Sequence, residues 1–211
     1  LTTIYKTVDL IEKRTGVRVD INNIPLDDKD VYKMLMKGDT DGVFQLESSG
    51  MKNLVKKLKP DVFEDLGALV ALFRPGPLDS GMVDEFVNRK HGKTAITYPH
   101  PLLEPVLKDT YGTIVYQEQI MQVFQVLADY TLGQADMVRR MMGKKKVEEM
   151  QKQKGRFVEN SAKHGMSEAD ALKLFGQIES FASYCFNRSH SAAYAFVAYQ
   201  TAYLKCHYPV E

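Results

Sequence analysis

The sequence predicts a mainly α-helical domain built from many helices, with at most one or two short strands. Apolar residues recur at helical spacing along most of its 211 residues. The segments that they mark are bounded by capping residues on one side and by glycine or proline on the other. Alternation of apolar and polar residues is nearly absent, and only residues 43–46 suggest a short strand. With 44% hydrophobic residues, the chain can bury one sizeable core or two small ones.

In the first part of the chain, four helices are predicted between glycine and proline stops. They cover residues 4–16, a segment capped by Asp27 or Asp28 that ends at Gly38, residues 48–59 and residues 63–73. The sequence Arg74-Pro75-Gly76-Pro77 follows. Its two prolines lack backbone donors and disfavour helical geometry in the residue before them, so a rigid turn is expected there.

The second part of the chain is predicted to be helical as well, apart from a proline-containing loop over residues 93–105. The predicted helices cover residues 82–91, 115–130, 134–142, 147–164, 167–184 and a last long helix that begins near Ser189. The last helix is apolar or aromatic almost all round, which predicts that it is buried in every direction. Its predicted core side chains are Tyr194, Phe196, Val197, Tyr199 and Tyr203.

Composition excludes several classes of protein. A net charge of +1 argues against a uniformly basic surface, so any phosphate partner must meet a local patch. Cys185 and Cys206 provide neither a zinc spacing nor a disulfide framework, and we expect a reduced, cytosolic compartment. No apolar run is long enough for a membrane span. The chain begins with Leu1 and stops just after a long helix, so we expect it to be part of a larger protein.

The densest charge feature covers residues 137–156. Eight cationic side chains face two acidic ones, a net charge of +6. The cations are Arg139, Arg140, Lys144, Lys145, Lys146, Lys152, Lys154 and Arg156. One interpretation is a solvated helix face. The other is a phosphate site, because arginine binds phosphate oxygens bidentately and lysine acts as a mobile point charge.

A second polar feature opens the last helix, where Asn187, Arg188, Ser189 and His190 precede the apolar body. Free N–H groups at a helix N-terminus attract anions, and Arg188 and His190 add their own donors. The alternative is that Ser189 is a plain N-cap and His190 a satisfied core residue.

Further candidates accompany these two features. Tyr116 provides a stacking face and Gln117 a two-way hydrogen-bonding amide, both suited to a base or sugar. Arg74 is a further cation beside the Pro-Gly-Pro sequence. Alternatively, Tyr116, Gln117 and Arg74 have only structural roles.

Metal binding is not expected. Residues 39–42 have the letters of a calcium loop, but the register puts Lys37 in the first ligand position and Ser48 in the last. A cluster of Asp79, Asp84 and Glu85 is more typical of a helix start or a solvated face than of a magnesium site. Neither a Walker-type loop nor an HExxH motif is present.

Five long motifs, in order along the chain, resemble those of one family. They are GVFQLESSGM (42–51), LVALFRPGPLDSGMVDEFVNRKHG (69–92), YGTIVYQEQIMQV (111–123), ADMVRRMMGKKK (135–146) and FNRSHSAAYAFVAYQTAYLK (186–205). They resemble the DNA polymerase III alpha subunits, the C family of bacterial replicative DNA polymerases. The resemblance extends over essentially the whole chain.

The resemblance implies a DNA-directed DNA polymerase in which three palm aspartates coordinate two Mg²⁺ ions. The resemblance places the third of these aspartates just ahead of the region that corresponds to Leu1, so the chain resembles the fingers domain. Residues 1–60 would be its palm-proximal part and residues 61–211 its core. The implied ligands are the incoming dNTP and primer-template DNA, and the implied partners are the palm and thumb of the same chain. Other replicase subunits, such as the sliding clamp, would bind elsewhere, and this segment alone is expected to be inactive.

Under the resemblance, the nucleotide-facing residues follow from the two polar features. Arg139 and Arg140, supported by Lys144, Lys145 and Lys146, are expected at the triphosphate or at nearby template phosphates. Arg188 and His190 form the opposing wall, with Asn187, Tyr116 and Gln117 nearer the sugar and base, and Arg74 as a brace. The competing hypothesis is a non-catalytic helical module that binds nucleic acid or protein. An independent metal-dependent phosphohydrolase would need a carboxylate cluster that the sequence does not provide.

Overall fold

A computed structural model describes residues 1–143 and 147–210. In these residues the chain forms twelve α-helices, α1 to α12, and two short 3-10 helices, without any strand. One isolated parallel bridge joins Tyr116 and Phe186. The predicted mainly α fold is therefore confirmed.

The helices are distributed between two compact units. The first unit comprises residues 1–73 and the chain from residue 189 onward, and the second comprises residues 74–188. The first unit contains α1 (Thr2–Thr15), α2 (Lys29–Met36), α3 (Ser49–Leu58), α4 (Phe63–Leu72) and all of α12 (Arg188–His207) except Arg188. The second contains α5 (Pro75–Asp79), α6 (Met82–Lys90), α7 (Glu104–Leu107), α8 (Gln117–Ala128), α9 (Leu132–Gly143), α10 (Val147–Lys163) and α11 (Glu168–Phe181). The 3-10 helices are Pro101–Leu103 and Lys108–Thr110.

Local capping signals fix several helix ends where the sequence predicted them. The Asp28 carboxylate accepts from the backbone N–H groups of Asp30 and Val31 at the start of α2. The hydroxyls of Ser48 and Ser167 cap α3 and α11 in the same way. Gly16 ends α1 in the left-handed conformation, at φ 75°. These signals are local, so the sequence alone reveals them.

The predicted short strand over residues 43–46 is wrong, because consecutive turns occupy that stretch. Gln45 has a φ of 64°, which an extended strand does not allow. The backbone N–H groups of Val43 and Leu46 donate to the carbonyls of Thr40 and Val43. The buried Thr40 hydroxyl then closes the loop by donating to the Leu46 carbonyl at 2.6 Å.

The predicted rigid turn at residues 74–77 is also wrong, because a new helix starts there. Arg74 is extended, at φ −147° and ψ 156°, and α5 begins at Pro75. Proline is tolerated in the first helical turn because that turn leaves its N–H groups unpaired in any case. Proline also occupies the first turn of two short helices in the predicted loop over residues 93–105, where Pro101 and Pro105 lie at helix starts.

The start of α12 at Arg188 agrees with the prediction near Ser189, but its all-round burial does not. Its buried positions include Ser191, Ala195, Ala198, Tyr199, Gln200, Ala202 and Leu204. The aromatic residues Tyr194, Phe196 and Tyr203, and also Val197, are only half-buried. Small side chains on the buried face allow a close approach to α4, where the Ser191 hydroxyl donates to the Gly67 carbonyl at 2.6 Å.

The second unit has an aromatic centre that holds α8, α10 and α11 together. The Phe124 ring centroid lies 5.0 Å from that of Phe157 and 6.0 Å from that of Phe175. All three rings are almost completely buried. This packing fixes the direction of α8 and therefore the position of the polar residues at its first turn.

Among the described residues, no helix combines the length and the apolar character that a membrane crossing requires.

Candidate functional site

The start of α8 is joined by backbone hydrogen bonds to the segment just before α12. The N–H of Gln117 donates to the Phe186 carbonyl at 2.9 Å, and the N–H of Phe186 donates to the Val115 carbonyl at 3.0 Å. The Gln119 side-chain oxygen accepts from the N–H groups of Val115 and Tyr116, both at 2.9 Å. Two stretches that are about 70 residues apart in sequence are therefore held in a fixed register.

Gln117 connects this joint to α9. Its side-chain oxygen accepts from Arg139 Nη1 at 3.2 Å, and its Nε2 donates to the Cys185 carbonyl at 3.2 Å. Both ends of the amide contact protein groups, so Gln117 orients Arg139 in this structure. Burial raises the pKa of the Cys185 thiol to about 12, so this thiol stays protonated at neutral pH and is a poor nucleophile.

Asp136 binds both arginines of α9. Its Oδ1 accepts from Arg139 Nε at 3.0 Å and from Nη2 at 2.7 Å, while its Oδ2 lies 2.8 Å from Arg140 Nε. Hydrogen bonds from Arg139, together with the positive charges of both arginines, hold the pKa of Asp136 below its usual value. The Arg139 side chain is 23% exposed and that of Arg140 is 68% exposed. Arg139 is thus the fixed cation of the pair.

Arg188 is a second arginine that contacts residues at the start of α8. Its Nη2 donates to Asp109 Oδ2 at 3.1 Å, and its guanidinium carbon lies 5.5 Å from the ring centroid of Tyr116. The Glu118 carboxylate accepts from the Arg188 backbone N–H at 2.8 Å and from Asn187 Nδ2 at 2.7 Å. Because the Tyr116 side chain is buried, its ring supports Arg188.

Arg74 braces the same segment from the start of α5. It donates to the Tyr184 carbonyl, and its guanidinium carbon lies 4.7 Å from the ring centroid of Phe186. Burial lowers the pKa of the Arg74 guanidinium, although arginine remains charged at neutral pH. A Cβ at Gly76 would collide with the Tyr184 ring, so the close approach of α5 to this segment requires glycine.

The structure thus brings six predicted residues into one network in the second unit. They are Tyr116, Gln117, Arg139, Arg140, Asn187 and Arg188. His190 belongs to the first unit, where its ring centroid lies 4.3 Å from that of Tyr194. Lys144, Lys145 and Lys146 lie outside the described residues.

Three carboxylates of this network were not among the predicted site residues. Asp136 was accessible to sequence reasoning, because it precedes Arg139 and Arg140 by three and four positions on one helix. Asp109 and Glu118 contact Arg188 across 79 and 70 positions, and no local pattern indicates such pairs.

The described residues do not fit a resident metal ion. They contain no group of three or more His, Cys, Asp or Glu side chains that could hold one. Glu85, in the carboxylate cluster noted in the sequence, pairs with Arg89 at 2.5 Å.

Comparison with known proteins identifies the family. The model of the bacterial DNA polymerase III alpha subunit finger domain matches residues 1–165. Proteins named DNA polymerase III subunit alpha are 58% identical in Pseudomonas aeruginosa, 57% in Escherichia coli K12 and 53% in Aquifex aeolicus. These alignments cover 99–100% of this chain but only 18–19% of each relative, so the chain spans about a fifth of their length. The chain belongs to the finger-domain family of bacterial DNA polymerase III alpha subunits.

Proposed function

We propose that this chain is the fingers region of a replicative DNA-directed DNA polymerase, which binds the incoming dNTP and the template during DNA synthesis. One observation carries the proposal beyond family membership. Three consecutive residues at the start of α8 hold two arginines: Gln117 contacts Arg139, whereas Tyr116 and Glu118 contact Arg188. A nucleoside triphosphate carries about four negative charges, so oriented guanidinium groups suit it.

The roles follow from this arrangement. Arg139 and Arg140 bind the triphosphate or nearby template phosphates, and Arg188 faces them from the second wall. Lys144, Lys145 and Lys146 complete the cationic surface in this proposal, and the phosphate role of His190 stays a prediction. Asn187, Tyr116 and Gln117 act near the sugar and base, Tyr116 and Gln117 chiefly by fixing the arginines, and Arg74 serves as a brace.

The chemical step belongs to the rest of the parent protein. We place the ligands of its Mg²⁺ ions in the palm, outside this chain, and expect no polymerisation by the segment alone. Residues 1–60 would lie on the palm side and residues 61–211 would form the core of the fingers. Partners are primer-template DNA, the palm and thumb, and replicase subunits such as the sliding clamp that bind elsewhere. Both cysteines are free, which suits a reducing cytoplasm.

The substitution Arg188→Ala in a full-length alpha subunit tests the proposal. Loss of one charge-assisted contact to phosphate costs about 1.5–3 kcal/mol. The KM for dNTP should therefore rise, or kcat should fall, by roughly 10- to 150-fold. The melting temperature should change little, because the Arg188 side chain is 41% exposed. Lys173→Ala, which removes an exposed cation of α11, is the matched control and should leave the kinetics unchanged.

The competing helical module makes the opposite prediction. Binding to backbone phosphates alone depends steeply on salt and is indifferent to added triphosphate. If Arg188→Ala lowers the melting temperature and spares the dNTP kinetics, Arg188 is a structural residue and the nucleotide site is wrong.

A further inference from the structure

Arg139 and Arg188 pair with carboxylates in different ways. Arg188 makes one hydrogen bond to Asp109, at 3.1 Å, and the two side chains are 41% and 39% exposed. Arg139 makes two hydrogen bonds to Asp136, which also binds Arg140 and is 31% exposed. Gln117 holds Arg139 from a third direction. Arg139 and Arg188 are chemically identical side chains, and we use these different partners to assign them different functions.

We propose that Asp109 is an exchangeable counter-ion, which a nucleotide phosphate displaces from Arg188, whereas Asp136 is a positioning residue that keeps its hold on Arg139. This inference rests on the proposed function, and it adds two acidic residues to the cations that the function requires.

Replacing Asp109 by a phosphate at Arg188 costs little free energy, because the Arg188–Asp109 ion pair is exposed to solvent. Solvated pairs of this kind favour the paired state by no more than about fivefold. A phosphate carries more charge than a carboxylate and accepts bidentate hydrogen bonds from guanidinium. It therefore competes successfully for Arg188, and Asp109 imposes a small penalty on nucleotide binding.

The contacts of Asp136 and Gln117 with Arg139 orient its guanidinium group. A guanidinium has five N–H groups, and three of those on Arg139 are used, two by Asp136 and one by Gln117. Counting contacts with the described residues only, one N–H remains on each terminal nitrogen for an incoming oxygen. Removal of Asp136 leaves Arg139 with the Gln117 contact but without its two carboxylate hydrogen bonds, and the nucleotide then has to order the guanidinium on binding.

The same substitution at the two positions should therefore have opposite effects. In a full-length alpha subunit that carries this segment, Asp109→Asn should lower the KM for dNTP by up to about fivefold, because a competing charge is lost. Asp136→Asn should raise that KM by about tenfold, and Asp136→Glu, which restores the charge, should recover part of the loss. A merely structural role would lower the melting temperature without this split in sign.

Glu104→Gln controls for the general loss of a negative charge, because exposed Glu104 makes no contact with Arg188 in the described part of the chain. It should leave KM unchanged. In an Arg188→Ala background, Asp109→Asn should have no further effect, since the partner that it releases is gone.

The outcomes separate the inference from the function on which it rests. If Arg139→Ala and Arg188→Ala both leave the KM for dNTP unchanged, the proposed function is wrong. If both raise it while Asp109→Asn and Asp136→Asn shift it in the same direction, the function stands and the division of roles is overturned. A decrease with Glu104→Gln equal to that with Asp109→Asn would also overturn it, because general charge would then explain the effect.

Discussion

Thr40 illustrates how one buried hydroxyl decides local backbone geometry. Its side chain is fully buried, and its Oγ1 donates to the Leu46 carbonyl at 2.6 Å. Nearby, the N–H of Phe44 donates to the Thr201 hydroxyl of α12 at 3.0 Å. Together these bonds satisfy polar groups that a strand would have paired with another strand. The turn structure of residues 43–46 thus depends on one local hydroxyl and one supplied by α12.

Thr40→Val should destabilise the first unit. Valine keeps the shape of threonine but leaves the buried Leu46 carbonyl without this donor, which costs about 1–3 kcal/mol. Urea denaturation of the chain measures the change, and the exposed substitution Thr94→Val should stay within about 0.5 kcal/mol. Equal stability of the two variants would mean that another group satisfies the Leu46 carbonyl.

At the scale of single residues, the sequence predicts the cations of the candidate site but not the groups that hold them. The functional types of Arg139 and Arg188 follow from their local context, a basic segment and a helix start. Their carboxylate and amide partners come from other helices, except Asp136. Tyr116 and Gln117 were predicted from their chemistry as groups near a base, and in the structure they contact Arg188 and Arg139. Such partners depend on tertiary packing, which residue type alone does not determine.

One stripe of the helix α12 packs through small side chains, although the same helix also buries Tyr199 and Leu204. Its buried face repeats at Ser191, Ala195, Ala198 and Ala202, the spacing of one helix face. The 2.6 Å hydrogen bond from Ser191 to the Gly67 carbonyl shows that the backbone of α4 is close to this face. A small-residue face therefore sets how near the two helices lie.

Ala195→Leu should destabilise the chain by about 1–3 kcal/mol, because Ala195 is fully buried and an added isobutyl group overpacks its surroundings. Ala193→Leu, on the exposed side of the same helix, should be close to neutral. Thermal unfolding of both variants measures the difference. A neutral Ala195→Leu would show that the contact face has room for a larger side chain.

At the scale of elements, prediction succeeded where the signals were local and failed where they were not. Helix starts at Asp28, Ser48 and Ser167 follow from side-chain caps. The prediction that α12 is buried all round is wrong because aromatic side chains do not by themselves indicate core: Tyr199 is fully buried, whereas Tyr194, Phe196 and Tyr203 are half-buried. The proline sequence after Arg74 was misjudged because proline both ends one helix and starts the next.

At the scale of the whole molecule, charge is distributed very unevenly. The chain carries a net charge of +1, but residues 137–156 alone carry +6. The remaining surface is therefore net acidic and repels nucleic acid, which favours a single cationic contact region. Asp136, just before that region, pairs with Arg139 and Arg140, and Lys144, Lys145 and Lys146 add further positive charge.

A triple substitution of Lys144, Lys145 and Lys146 to alanine tests whether that charge contacts DNA. Each phosphate neutralised by a cation adds about 0.9 to the slope of log affinity against log salt for duplex DNA. In a full-length alpha subunit, the variant should bind primer-template DNA with a slope smaller by up to about 2.7. A matched triple variant of Lys6, Lys13 and Lys29, which are exposed in the first unit, should keep the original slope. If both variants keep it, residues 144–146 are a solvated face and the phosphate site is limited to the arginines.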